Sequence, residues 1–130
     1  YHFVTMKKTI LPALTGADTA ACTVTCPVAK TARLIDGRWT TLIVRDLLSG
    51  TKRYSELLAS LTGISPKVLA DRLRFLEAQG VLTKTIYPVI PPKTEYTLTA
   101  RGRRLQAVIQ AMADFGQSLD SVADENTQNI

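Results

Sequence analysis

Histidine occurs once in this chain, at His2, and cysteine only at Cys22 and Cys26. That scarcity excludes much enzymology. A Ser-His-Asp or Cys-His arrangement needs an imidazole in the folded part, and the single one stands at the second position. Zinc-ligand spacing is absent, and no metal or other cofactor is expected. Glycine-rich phosphate-binding patterns are absent too. No stretch approaches the ~20 apolar residues of a membrane span. Met6-Lys7-Lys8 begins like a secretory leader, but the apolar run after it, Thr9 to Leu14, is six residues long and broken by Pro12. A secretory core needs about 7–15. The expectation is a cytoplasmic protein that makes no membrane contact. Tyr1 to Thr5 read as a vector-derived remnant, with Met6 as the natural start.

What is present suits one globular domain. At 130 residues and 45% hydrophobic content, the chain can bury a core without disulfides or metals. The net charge is +5, unevenly placed. Cys26 to Gln117 holds 14 Lys or Arg and 7 Asp or Glu, a balance of +7. A folded part this basic favours a polyanionic partner.

The chain is organised around Tyr54 to Gly80. Ser55 reads as the N-cap of a short helix, and Gly63 supplies a turn. Ser65-Pro66 starts a second helix: a capping oxygen, then a proline where the missing N–H costs nothing. Gly80 ends it, since glycine accepts the left-handed conformation past a helix C-terminus. Two helices joined by so short a turn suggest a helix-turn-helix, whose second helix can enter a DNA groove; the alternative is an amphipathic hairpin with a solvated charged face. At about 100° per residue, Leu69, Leu73 and Leu76 fall on one stripe, facing inward. The outward face carries Pro66, Lys67, Ala70, Asp71 and Arg74.

Pro27 suits a first helical position, and Val28, Ala32 and Ile35 make an inward stripe to Asp36. Arg38 opens a stronger helix, whose apolar residues Trp39, Leu42, Ile43, Val44, Leu47 and Leu48 are placed in the centre of the core. Thr51 to Tyr54 is a short extended link and a candidate edge strand. Val81 to Tyr87 alternates as a strand, Pro88 to Pro92 is a stiff loop, and Lys93 to Leu98 returns. A hairpin there, just after a recognition helix, is a wing. Thr99 caps one last helix, with Leu105, Val108, Ile109, Met112, Phe115 and Leu119 at helical spacing. Arg101, Arg103 and Arg104 crowd its first turns, where the helix dipole disfavours cations. The long apolar stripe lacks a partner within such a core, so a two-fold dimer is expected to bury it. The segments are therefore a flexible arm at 1–25, a winged-helix domain at 26–119 and a polar tail at 120–130.

These pieces in this order resemble the HxlR-type winged helix-turn-helix regulators, relatives of the MarR group. The specific resemblance lies in Cys26-Pro27-Val28, in Leu34-Ile35-Asp36-Gly37-Arg38-Trp39, and in the wing from Tyr87-Pro88 through Pro91-Pro92-Lys93 to Leu98-Thr99. Leu48-Ser49-Gly50, Lys52 to Leu57, Gly63-Ile64-Ser65 and Leu76 to Leu82 extend it. The resemblance covers about Cys26 to Phe115; the N-terminal arm is longer than is usual in the family. It implies a mainly α fold with a small β-hairpin wing, and a homodimer built from the terminal helices. It also implies sequence-specific binding of double-stranded DNA at a pseudo-palindromic operator. Ser65, Pro66, Lys67, Ala70, Asp71 and Arg74 would face the major groove, with Lys52, Arg53 and Lys93 on the backbone. Arg74 or Lys67 can pair with guanine; Asp71 can accept from cytosine or orient Arg74. In several such proteins the cysteine at the position of Cys26 senses oxidants, quinones or aldehydes. Thiolate is the reactive form, and a helix N-terminus favours it. Cys22 stands outside the family pattern, as a resolving or intersubunit thiol. The competing readings are a winged-helix interaction module without DNA binding, a thiol enzyme built on Cys26, and a Cys26 that merely packs in the dimer interface.

Overall fold

The computed structural model describes residues 25–128, with side chains described through Asp120. All of the expected arm at 1–25 except Thr25, Cys22 included, lies outside the described residues. The chain divides into two compact units after Asp36.

In the first unit, Pro27–Leu34 forms helix α1 with Cys26 at its N-cap. The Thr31 hydroxyl donates to the Pro27 carbonyl at 3.1 Å. The inward stripe expected here is not buried: no α1 residue is, and Val28 is strongly exposed. Pro27, Val28, Thr31, Ala32 and Ile35 instead line an open apolar groove. Periodicity marks a stripe; it does not say what covers it.

The second unit holds the core. Helix α2 (Arg38–Leu48) starts after Gly37, whose φ of 87° lets the chain turn into it. It buries Ile43, Val44 and Leu47 along with Thr40. Trp39, Leu42 and Leu48 were expected at the core centre but are half-buried at its edge. Trp39 lies beside Gly63, under the Arg38 guanidinium, which is 4.4 Å from the ring centroid. The apolar arc of α2 is wider than its buried face, so its margins line the rim.

Strand β1 is only Lys52–Arg53, and helix α3 (Tyr54–Ser60) follows directly. Ser55 is not the cap of α3. Arg53 holds that place, and its N–H donates to Glu56 Oε1 at 2.7 Å. The helix starts early because β1 ends in extended backbone at Arg53 (ψ 156°), already the conformation an N-cap needs. Leu57 is fully buried, and Leu61 and Ile64 carry the core through the turn. Gly63 takes φ +96° there, which a side chain would resist.

Helix α4 (Pro66–Ala78) has the expected cap: Ser65 Oγ accepts from the Val68 N–H at 3.1 Å. Leu69, Leu73 and Leu76 are buried, as rotation predicts. Gly80 leaves the helix with φ +74°. Strands β2 (Leu82–Tyr87) and β3 (Lys93–Leu98) pair antiparallel from Leu82↔Leu98 to Tyr87↔Lys93. β1 joins the other edge of β3, giving the order β1-β3-β2. The sheet reaches the core through Leu82, Tyr96 and Leu98, and the outer part of β2 is exposed.

The last helix is two. Thr99 caps a four-residue helix, α5 (Ala100–Arg103), and α6 runs from Gln106 to Gln128. Between them Arg104 N–H bonds Arg101 O and Leu105 N–H bonds Gly102 O, three residues back, which tightens the turn and ends α5. The arginines therefore do not open one long helix: Arg104 lies between the two helices, and Arg101 and Arg103 belong to a single helical turn, whose dipole is small. Each also has a backbone acceptor, Arg101 on Gln79 O at 3.0 Å and Arg103 on Leu98 O at 3.2 Å. Helix α6 packs on α2. Leu105, Val108 and Ile109 are half-buried, while Met112, Phe115 and Leu119 are exposed.

Candidate nucleic-acid interface

The N-terminal half of α4 presents its polar face to solvent because its opposite face is spent on three leucines. Ser65, Pro66, Lys67 and Arg74 are exposed there; Ala70 and Asp71 are half-buried. Lys67 Nζ lies 3.7 Å from Asp71 Oδ2, and Arg74 Nη2 donates to Asp71 Oδ1. The small side chains of Ser65 and Ala70 let the helix approach another surface closely. The position of the helix is fixed from both ends. Tyr54 in α3 donates its phenol proton to Pro66 O at 3.2 Å. At the other end, Thr99 Oγ1 bonds Gly80 O at 2.6 Å and Val81 O at 3.1 Å, and Arg101 bonds Gln79 O. Neither Tyr54 nor Arg101 was expected in this positioning role. Their acceptors are carbonyls distant in sequence, which periodicity does not reveal.

The wing gathers a second charged group. Lys93 Nζ is 3.2 Å from Glu95 Oε2 and 5.3 Å from the Tyr87 ring centroid. Tyr87 donates its phenol proton to Glu95 Oε1 at 3.0 Å. That bond, with Lys93 behind it, holds the Glu95 carboxyl below the usual carboxylate range. The same bond and the Glu95 charge push the Tyr87 phenol up. Arg53 joins the group across the sheet, opposite Glu95 in the register. Thus Lys93 pairs with the Glu95 carboxylate, and Arg53 lies beside Glu95 in the sheet and adds its charge from there.

Lys52 does not join them. Adjacent strand residues point to opposite faces, and Lys52 lines a cleft of about 140 Å³ with Asp46, Ser49, Glu56, Leu57 and Ser60. Ser60 Oγ donates to Asp46 Oδ2 there, at 2.7 Å. The wing also offers Lys84, exposed and free of ion pairs among the described residues. Its place in line with buried Leu82 suggests an inward side chain, yet the hairpin has left the core by that point. Beyond it, Val89 and Ile90 project into solvent.

Cys26 is a half-buried free thiol in the first unit. Among the described residues no cluster of metal-ligating side chains forms. Nor is any described helix long and apolar enough to cross a membrane.

Comparison with known proteins agrees with this geometry. Residues 34–123 match the HxlR-like helix-turn-helix family. The HTH-type transcriptional regulator sll1512 of Synechocystis sp. is 43% identical over 107 residues, covering 80% of this chain and 79% of that one. The structure of the redox regulator HypR in its reduced form superposes with a TM-score of 0.71 at 33% identity, covering 76% of this chain and 98% of HypR. The reduced form of the transcriptional regulator YodB from Bacillus subtilis gives a TM-score of 0.61 at 40% identity, over 69% of this chain and 89% of YodB. A helix-turn-helix with an exposed second helix, a three-stranded wing and a family match across both make the assignment: the chain belongs to the HxlR-like helix-turn-helix family of transcriptional regulators.

Proposed function

We propose that this regulator binds a pseudo-palindromic DNA operator as a homodimer and that oxidation of Cys26 switches the binding. The observation that carries the first part is the exposed N-terminal half of α4. It offers two cations, an acid and small residues in one array, held at both ends by hydrogen bonds. Lys67 and Arg74 supply donors for guanine or phosphate, and Arg53, Lys84 and Lys93 supply wing contacts to the backbone. Lys52 contributes less, being half-buried beside Asp46 and Glu56. A second copy of the chain covers the exposed Met112, Phe115 and Leu119 and sets two α4 helices about 34 Å apart, one turn of DNA.

The switch rests on chemistry and relatives. Cys26 sits at a helix N-cap, where thiolate is favoured. HypR is a redox regulator solved in reduced and oxidised forms, and YodB has been solved reduced and after diamide treatment. In this chain, Cys26 and a second thiol, Cys22 or a cysteine of the other subunit, form a disulfide. Two electrons and two protons pass to the oxidant; with diamide, its N=N bond becomes the hydrazine. A quinone or aldehyde would instead add directly to the thiolate.

The test starts with selection of a binding site from random duplexes, followed by anisotropy titration. Arg74→Ala is expected to weaken the selected site by roughly 1–3 kcal/mol; unchanged affinity removes Arg74 from the interface. Diamide is expected to abolish wild-type binding reversibly and to leave Cys26→Ser bound. Equal loss in both proteins would reject the thiol switch.

A further inference from the structure

On the outward face of α4 an acid stands between the two cations. Asp71 lies four residues after Lys67 and three before Arg74, both of which are neighbour spacings on a helix. Its carboxylate serves one on each oxygen: Lys67 reaches Oδ2 and Arg74 bonds Oδ1. The cation side chains are 84% and 70% exposed, against 39% for Asp71. Neither cation pairs with another acid among the described residues.

We propose that Asp71 determines specificity at the DNA interface, as a built-in counter-ion that competes with phosphate for Lys67 and Arg74. The inference rests on the reading that α4 enters the groove. On DNA of arbitrary sequence, the two cations gain only phosphate contacts, and on this proposal each swings from Asp71 toward the backbone to make them. The carboxylate is then left facing the phosphates unpaired. On the correct site the account differs. Arginine has five N–H donors in a planar fork. Asp71 takes one of them, from Nη2. The remaining donors can still bond O6 and N7 of a guanine. Correct DNA is thus bound with the ion pair intact, and arbitrary DNA only by breaking it. Asp71 lowers background binding more than operator binding, so it widens the gap between them.

The experiment is anisotropy titration of the selected operator duplex and a scrambled duplex of equal length, across a salt series. Asp71→Asn keeps the side chain's size and removes its charge. Scrambled DNA is expected to bind Asp71→Asn about 3- to 10-fold more tightly near 0.1 M salt. The slope of log K against log salt should steepen by about 0.9 for each cation released to phosphate. Operator affinity should rise less, so the ratio of operator to scrambled affinity falls at least about 3-fold. The same substitution is then made in a Lys67→Ala/Arg74→Ala background. A carboxylate that merely repels DNA keeps its effect there, whereas a counter-ion to those cations loses it. An unchanged ratio in the single variant, or an effect that survives in the triple variant, overturns the proposal. Undiminished operator binding by Lys67→Ala/Arg74→Ala itself would instead sink the placement of α4 in the groove, a separate failure.

Discussion

Gly102 has no room for a side chain. A Cβ there would overlap the Val81 carbonyl oxygen and meet Leu98 Cδ2 at 3.0 Å. The obstacle on one side is backbone, which cannot turn aside as a flexible side chain can. Gly102→Ala is therefore expected to cost roughly 2–4 kcal/mol, at or above the usual cost of overpacking, as read by chemical denaturation. A loss under 0.5 kcal/mol would mean that α5 slides freely on the sheet. The wing group of Tyr87, Glu95 and Lys93 gives a pH signature. Glu95 is held low, so its contribution is present above its unfolded value and lost as pH falls through its folded one. Tyr87 is held high, so its contribution is present below its unfolded value and lost as pH rises through its folded one. The latch is therefore fully present across the neutral range, and it is lost only as pH falls below the ordinary carboxylate range or rises above the ordinary phenol range. In Glu95→Gln, Tyr87 should titrate at lower pH, followed by its ring NMR signals; an unmoved midpoint would show the bond to be unimportant.

Element boundaries depend on the same hydrogen bonds. Ser65 and Ser55 look alike as capping residues, but only Ser65 accepts from the backbone of its helix. Ser65→Ala should lose about 1 kcal/mol and Ser55→Ala less than about 0.5 kcal/mol in thermal or urea melts. Equal losses would contradict the assignment of Arg53 as the α3 cap. Most of the fold was legible where the physics is local. Leucines at helical spacing place α4, alternation and prolines place the wing, and Gly63 and Gly80 mark turns that need positive φ. What was not legible depends on distant partners. The split between α5 and α6 falls where Gly102 lies against Val81, far away in sequence. The rim position of Trp39 and the open stripe of α1 depend on which neighbours are present. At the candidate site, the outward residues of α4 could be read by rotation. The pairing of Lys93 with Glu95, and the cleft that holds Lys52, needed the sheet register.

At the scale of the whole molecule, the exposed apolar stripe of α6 and the charged face of α4 support the proposed account, in which a dimer sets two reading helices on DNA. Phe115→Glu places a charge within the stripe, where Phe115 is 66% exposed and its replacement leaves no core cavity. It should yield a monomer by sedimentation with little change in secondary structure, and operator affinity should fall about 10-fold or more as avidity is lost. The most direct measurement is anisotropy titration of the reduced protein on the duplex from upstream of its own gene, or on the duplex selected from random sequence, across a salt series. The account predicts tight binding of two chains per site, falling with salt along a straight log–log line and preferred over scrambled DNA by about 10³ or more. Equal, weak affinity for both duplexes, or no binding by either, would contradict it.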